Sequence, residues 1–300
     1  MIPFVREFDF AWARCDAVSP LIRRVVAENP GPFTFTGTGT YIVGRDAPDA
    51  PAAVIDPGPA DERHLQALLA AVEGRRVTHV LVTHTHRDHA PLARPFAAAV
   101  GAPVLAARPP ARTVHVSTAL DEDHDDDFFP DRVLEGGERI GGEDWTIEAL
   151  PTPGHASNHM AFVLQEENAL FSGDHVMGWS TTVVAPPDGD MTAYMASLEA
   201  VIAREFDTVW PTHGPPVRDP GPFLAAYRAH RLEREAQILE RLAAGDRRIR
   251  EIVARLYAAV DERLWPAAAL SVWAHLIALE RAGQATADPA PTLDAAWTLR

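Results

Sequence analysis

From about residue 37 to residue 210 the chain alternates short β-branched apolar runs with segments of helical spacing. Residues 40–43 and 53–55 read as strands, separated by the turn-rich stretch 46–51. Leu65, Leu68, Leu69 and Val72 recur at helical intervals, which predicts a helix over 61–72. A strand follows over 77–82, a helix over 91–100 and a strand at 103–105. Residues 147–150, 160–164, 169–171 and 208–210 give later strands, and 191–206 an amphipathic helix. Strands interleaved with helices predict an α/β sandwich. Beyond His213 the pattern changes. Gly214-Pro215-Pro216 and Pro220-Gly221-Pro222 bracket a linker, and 223–243, 249–260 and 267–281 are all helical in period. The expected division is a body of 1–218 and a small α-rich domain of 219–300 ending in a Gly/Pro-containing tail. No internal repeat is visible.

Composition narrows this picture. At 300 residues and 47% apolar the chain can build a substantial core. No apolar run approaches the roughly 18–20 residues of a membrane span, and the first 16 residues carry no cleavage-site pattern. A single cysteine, Cys15, forbids an intrachain disulfide and suits a reducing compartment, so the cytoplasm is expected. The net charge of −15 is unevenly placed. From Asp219 onward 11 arginines balance 11 acids, leaving 16 arginines against 31 acids in the body. Such a body repels polyanions. Lysine is absent and alanine abundant, which suggests a GC-rich bacterial genome. The run Asp121-Glu122-Asp123-His124-Asp125-Asp126-Asp127 lacks ligand spacing and is expected to be a solvated insertion.

The chemistry concentrates in Thr83-His84-Thr85-His86-Arg87-Asp88-His89, directly after the predicted strand 77–82. Three imidazoles and a carboxylate at a strand end need partners, and a divalent metal supplies them. His84 and His86, two apart in extended chain, point the same way. After the turn, Asp88 and His89 can aim at a neighbouring position, an arrangement that serves two metals. Further candidates also follow strands: His155 in Thr152-Pro153-Gly154-His155, Asp174 in Phe171-Ser172-Gly173-Asp174, and His213 in Trp210-Pro211-Thr212-His213-Gly214. Loops beyond strand ends are where α/β sheets commonly build sites.

This series, H-x-H-x-D-H, G-H, S-G-D and T-H-G, resembles that of the metallo-β-lactamase superfamily over roughly residues 33–218. The resemblance implies an αββα sandwich with His84, His86 and His155 on one metal. Asp88, His89 and His213 would bind a second, and Asp174 would bridge both. It implies two zinc ions per chain, with manganese or iron as alternatives, about 3.5–4 Å apart and sharing a hydroxide. Asp88 would orient that hydroxide and pass its proton to the leaving group. His159 and His175 are candidates to support the ligands from behind. Asn29 to Thr34, Gly39 to Gly44, Asn158-His159-Met160-Ala161 and residues 167–174 are most similar to the beta-lactamase-like protein 2 branch. That branch carries a C-terminal winged-helix-like domain, and its studied members cleave RNA. The acidic body and missing lysine weigh against RNA here. The expected activity is therefore hydrolysis of a small ester, thioester or lactone, ahead of an endoribonuclease on single-stranded RNA or a mononuclear iron sulfur dioxygenase. A small-molecule substrate and no membrane partner are expected, with a dimer consistent with the sequence. Histidines 64, 79, 115, 230 and 275 are read as lying away from the site.

Overall fold

The computed structural model describes residues 1–110 and 124–300. One sheet holds seven strands in spatial order β1 (Cys15–Ala17), β2 (Ile22–Val26), β3 (Gly39–Val43), β4 (Pro51–Ile55), β5 (Arg76–Val82), β6 (Val104–Ala106) and β7 (Arg132–Val133). It is antiparallel up to β4 and parallel from β4 to β7. The second sheet comprises β8 (Arg139–Gly141), β9 (Thr146–Pro151), β10 (Met160–Leu164), β11 (Ala169–Gly173) and β12 (Thr208–Pro211), in the order β12-β11-β10-β9-β8. Only its β11–β12 pair is parallel.

Residues alternate between the two faces of each strand, and both faces are buried. Tyr41, Val43, Ala53, Ile55 and Leu81 meet Ile147, Met160, Phe162, Phe171 and Trp210 in a core between the sheets. The intervening Ile42, Val54, Val80 and Val82 face α1 (Glu62–Ala71) and α2 (Ala93–Val100) through Leu68 and Phe96. Ala161, Val163, Leu170 and Val209 turn the other way, onto α3 (Met191–Ile202) and the start of α4 (Pro220–Ala243). The result is an αββα sandwich, as the resemblance implied.

The C-terminal segment adds α5 (Ile249–Leu256), α6 (Trp265–Arg281), β13 (Ala285–Asp288) and β14 (Ala296–Leu299). Ile238 and Leu242 of α4 pack with Ile252, Val253, Leu276 and Trp297 in a fourth core. The Gly/Pro-containing tail forms an antiparallel hairpin of β13 and β14, pinned by the buried Trp297. One strand was not anticipated and one expectation needs correction. The strand β2 was not anticipated because Arg23 and Arg24 interrupt its apolar run; both are nevertheless buried. The acidic run 121–127 is not wholly a solvated insertion: residues 121–123 lie outside the described residues, but His124 forms a β-bridge with His86. Its Nδ1 lies 2.7 Å from Thr85 Oγ1, and the Asp125 N–H donates to the Thr85 carbonyl at 2.6 Å.

Candidate metal centre

Every candidate ligand predicted from sequence lies beyond the C-terminal end of a strand, along one edge of the sandwich. His84, His86, Asp88 and His89 follow β5, His155 follows β9, Asp174 follows β11 and His213 follows β12. Backbone bonds stitch the two sheets together at this edge. The Met160 N–H donates to the Thr83 carbonyl at 2.8 Å, and the Gly39 N–H to the Thr212 carbonyl at 2.7 Å. Two glycines make the approach close. A Cβ on Gly154 (φ +139°) would lie 2.3 Å from Tyr194 Cα, and one on Gly173 (φ +52°) would lie 2.6 Å from His159 Nε2. Positive φ favours glycine at both positions, reinforced by the backbone of Tyr194 at Gly154 and by the His159 ring at Gly173. They set the turns that present His155 and Asp174.

The ligand-type atoms gather in three overlapping trios: His84, His86 and His155; His84, His89 and Asp174; and Asp88, His89 and His213. Within each trio they lie within 4.8 Å of one another. His84 Nε2 stands 2.9 Å from His86 Nδ1, and His155 Nε2 stands 3.1 Å from the same atom. The opposite nitrogens fix which atoms carry lone pairs. The Thr83 hydroxyl donates to Asp56, so it accepts from His84 Nδ1–H at 3.0 Å. His155 Nδ1–H donates to the Val183 carbonyl at 2.7 Å. Both Nε2 atoms therefore present lone pairs to His86 Nδ1. One proton there serves only one of them, whereas a cation serves all three.

The other half of the cluster points to the same conclusion. His89 Nδ1–H donates to Asp56 Oδ2 at 2.9 Å, and His213 Nδ1 faces the Gly37 carbonyl at 3.3 Å. His213 Nε2 lies 3.0 Å from Asp88 Oδ2 and 3.4 Å from Asp174 Oδ2. His89 Nε2 lies 3.5 Å from Asp88 Oδ2 and 3.6 Å from Asp174 Oδ1. Despite this proximity His89 Nε2, His213 Nε2 and Asp174 Oδ1 are buried without an aligned hydrogen bond. Groups aimed at a shared point, with their outer nitrogens held by hydrogen bonds, have the character of a metal site. The donor set of nitrogen and carboxylate oxygen suits a borderline divalent ion.

Electrostatics divide the cluster in two. Burial and the surrounding imidazoles push His84 and His86 well below the ordinary histidine range, keeping them neutral. Burial disfavours charge on His213 as well, but the Asp174 and Asp88 carboxylates outweigh it and raise its pKa to about 10. His89 is likewise raised, despite burial, by Asp88 and Asp174. Asp88 and Asp174 are held low by these imidazoles against the opposing effect of burial. In the protein alone, protons stand in for positive charge beside the two carboxylates.

His159 lies beside the cluster. Its Nδ1 meets Thr152 Oγ1 at 2.8 Å, and its Nε2 accepts the Asp174 backbone N–H at 3.1 Å. His175 contributes differently. Both of its ring nitrogens lack partners, burial lowers its pKa to about 3, and its carbonyl accepts from Tyr194 Oη at 2.8 Å. Two neighbours were missed by the motif reading. Asp56 accepts from the Thr83 N–H (2.8 Å), Thr83 Oγ1 (2.8 Å), His89 Nδ1 (2.9 Å) and Thr212 Oγ1 (3.1 Å). Its position after β4, in Ile55-Asp56-Pro57-Gly58, was the available signal. His124 lies tilted beside His86, with ring centroids 4.8 Å apart, and its Nε2 reaches Asp188 Oδ2 at 3.2 Å.

Two cavities meet at Asp174. One, of about 360 Å³, is lined by His86, Asp88, Asp174 and His213 beneath the loop 29–34. The other, of about 330 Å³, runs from His155 and Asp174 past Trp179 to α4 and α6.

The metallo-beta-lactamase superfamily profile matches residues 35–213, and a beta-lactamase associated winged helix domain matches 249–297. An atrochrysone carboxyl ACP thioesterase of Aspergillus chevalieri is 34% identical over 82% of this chain and 76% of its own length. A namesake from Pseudocercospora fijiensis is 29% identical over 81% of this chain and 68% of its own. Among solved structures, a beta-lactamase domain protein from Burkholderia ambifaria superposes with a TM-score of 0.78 at 20% identity, covering 100% of this chain and 97% of its own. The chain belongs to the metallo-beta-lactamase superfamily, carries a C-terminal winged-helix domain, and is an enzyme of that superfamily's hydrolase class. Both thioesterase relatives are fungal, whereas the superposed structure comes from a bacterium.

Proposed function

We propose that the protein is a binuclear zinc hydrolase of small acyl thioesters. The observation that carries this reading is the pair of cavities that meet at Asp174, Pro32 and Phe33, one reaching His155 and the other His86, Asp88 and His213. A linear substrate with its scissile bond at the cluster has room for an acyl arm on one side and a thiol arm on the other. The thioesterase names of the 34% and 29% identical relatives support the choice among carbonyl substrates. The acidic body, with 31 acids against 16 arginines before Asp219, supports a small molecule over RNA. His84, His86 and His155 would hold one metal and Asp88, His89 and His213 the other, with Asp174 between them. When bound, such ions lower the pKa of a coordinated water and polarise the scissile carbonyl.

The residues of the chain then have separable tasks. Asp88 Oδ2, 3.0 Å from His213 Nε2, is placed to hold a proton at the site and hand it to the departing thiolate. Asp56 and His159 keep His89 and Asp174 from turning away. Zinc-loaded protein should release thiol from pantetheine acyl thioesters, and Asp88→Ala should lower the rate at least about 10²-fold. Cutting of single-stranded RNA with no thioester turnover would overturn the reading. Iron in place of zinc in protein purified without chelator, with oxygen consumption, would favour a dioxygenase instead.

A further inference from the structure

The cavity leading away from His155 and Asp174 has an unusual lining. Phe33, Trp179, Leu264 and Ala267 make much of its wall, but its far side carries Arg231, Arg234 and His275 from α4 and α6. His275 is 1% exposed, and neither ring nitrogen has a hydrogen-bond partner. The nearest carboxylate oxygen, Glu235 Oε2, stands 3.8 Å from its Nδ1, too far for a hydrogen bond. Arg231 is 4% exposed; it gives one nitrogen to the Thr182 carbonyl at 2.5 Å and leaves Nε unpaired. Arg234 stacks its guanidinium over Tyr257 at 4.4 Å, and its Nε is also unpaired. Among the described residues no carboxylate comes within ion-pair distance of Arg231 or Arg234. Among the described residues the only acid on the cavity wall is Asp174, at the catalytic end. His230, also on the wall, is kept neutral with a pKa of about 4, first by burial and then by the two arginines.

Buried donors without partners are rare in folded proteins, and each asks for an explanation. Three of them belong to side chains of two packed helices that line one cavity of about 330 Å³, where a ligand that brings its own acceptors would fit. We propose that this cavity binds the acyl arm of the substrate and selects acyl groups ending in a carboxylate, read by Arg234 and His275 with Arg231 behind them. The proposal rests on the thioesterase reading for its substrate, but the cavity's preference for a carboxylate does not depend on turnover. Arginine favours this ligand because its planar fork matches a carboxylate. Helix α4 and the winged-helix domain thereby supply selectivity, while the sandwich supplies the chemistry.

The test compares adipoyl and hexanoyl thioesters of N-acetylcysteamine, equal in length and differing in the terminal group. The wild-type protein should favour adipoyl in kcat/KM. Arg234→Gln and, separately, His275→Asn should each shrink the ratio of the two substrates about 10-fold or more, the scale of a charge-assisted hydrogen bond. Melting temperature and metal content of each variant show that the change is local. A ratio unchanged by both variants would overturn the proposal. If neither thioester is hydrolysed, the thioesterase reading fails while the cavity is still tested by binding. Metal-free protein should bind the S-(5-carboxypentyl) thioether of N-acetylcysteamine more tightly than the S-hexyl thioether. Loss of that difference in Arg234→Gln would support the carboxylate site, and no difference in wild type would remove it.

Discussion

Asp56, just after β4, accepts four hydrogen bonds from three residues in the two segments that follow β5 and β12. It orients His89 directly and His84 through the shared Thr83 hydroxyl, so both halves of the ligand cluster lean on it. Being 0% exposed, it has no water to replace these partners. Replacement by Asn puts an amide NH₂ where donors already converge, leaving at least one buried donor unpaired. Asp56→Asn should therefore weaken metal retention about 10- to 100-fold, the usual cost of losing an outer hydrogen-bond partner. Competition against a chromogenic chelator measures this directly, and wild-type affinity in the variant would show that Asp56 serves only the fold. The candidate ligands were legible in the sequence because each is a metal-type residue just past an apolar run. Asp56 satisfies the same description, but a single acid in a Pro-Gly turn looks like ordinary turn chemistry. His124 was hidden for another reason: flanked by six acids, it read as part of a solvated run.

The legibility of each element followed its burial. Central strands such as β10 show both faces buried and so appear as continuous apolar runs, which sequence reading recovers to the residue. The edge strands and β2 escaped because arginines or short length disguise them. Arg23, for instance, turns to Asp46 at 3.1 Å. The α1–β3 contact offers a test of a different kind. His64 on α1 lies 2.9 Å from Thr40 Oγ1 on β3, and that hydroxyl donates to the Asp56 carbonyl, so His64 Nε2 carries the proton. Its Nδ1 is buried without an acceptor, and burial lowers its pKa from 6.5 to about 4. Between these values the unfolded chain binds a proton that the folded one refuses. The contribution of neutral His64 is thus present above pH 6.5 and is lost as pH falls towards 4, by at most about 3 kcal/mol. Urea unfolding of chelator-treated protein should show stability falling more steeply from pH 6.5 to 4.5 in wild type than in His64→Leu. Equal slopes would mean that His64 opens to solvent before it titrates.

At the scale of the molecule, α4 joins two cores. Its first turns place Phe223, Leu224 and Tyr227 against α3 and the second sheet, and its last turns place Ile238 and Leu242 in the winged-helix core. The helix also reaches the site. Tyr227 Oη and Arg231 hold the two sides of the Thr182 peptide, and Thr182 Oγ1 donates to the Asp174 carbonyl at 2.7 Å. Next in sequence, Val183 fixes His155 through its carbonyl. Contacts from α6 bind the halves further, with Ala274 in the α3 core and Arg281 paired to Asp190. A chain stopped after Ala243 keeps α4 and all seven ligand candidates but strips Ile238, Leu242 and part of α3 of their cover. Exposed apolar area of this kind costs about 25 cal/mol per Å² and invites association. The shortened chain should melt several degrees lower, self-associate on size exclusion, and still bind metal in its soluble fraction, because Thr182 keeps its partners on α4. Unchanged melting with a monomeric profile would instead make the winged-helix unit a separately folded attachment. Loss of metal in the soluble fraction would place part of the site's rigidity in α5, α6 and the hairpin rather than in α4.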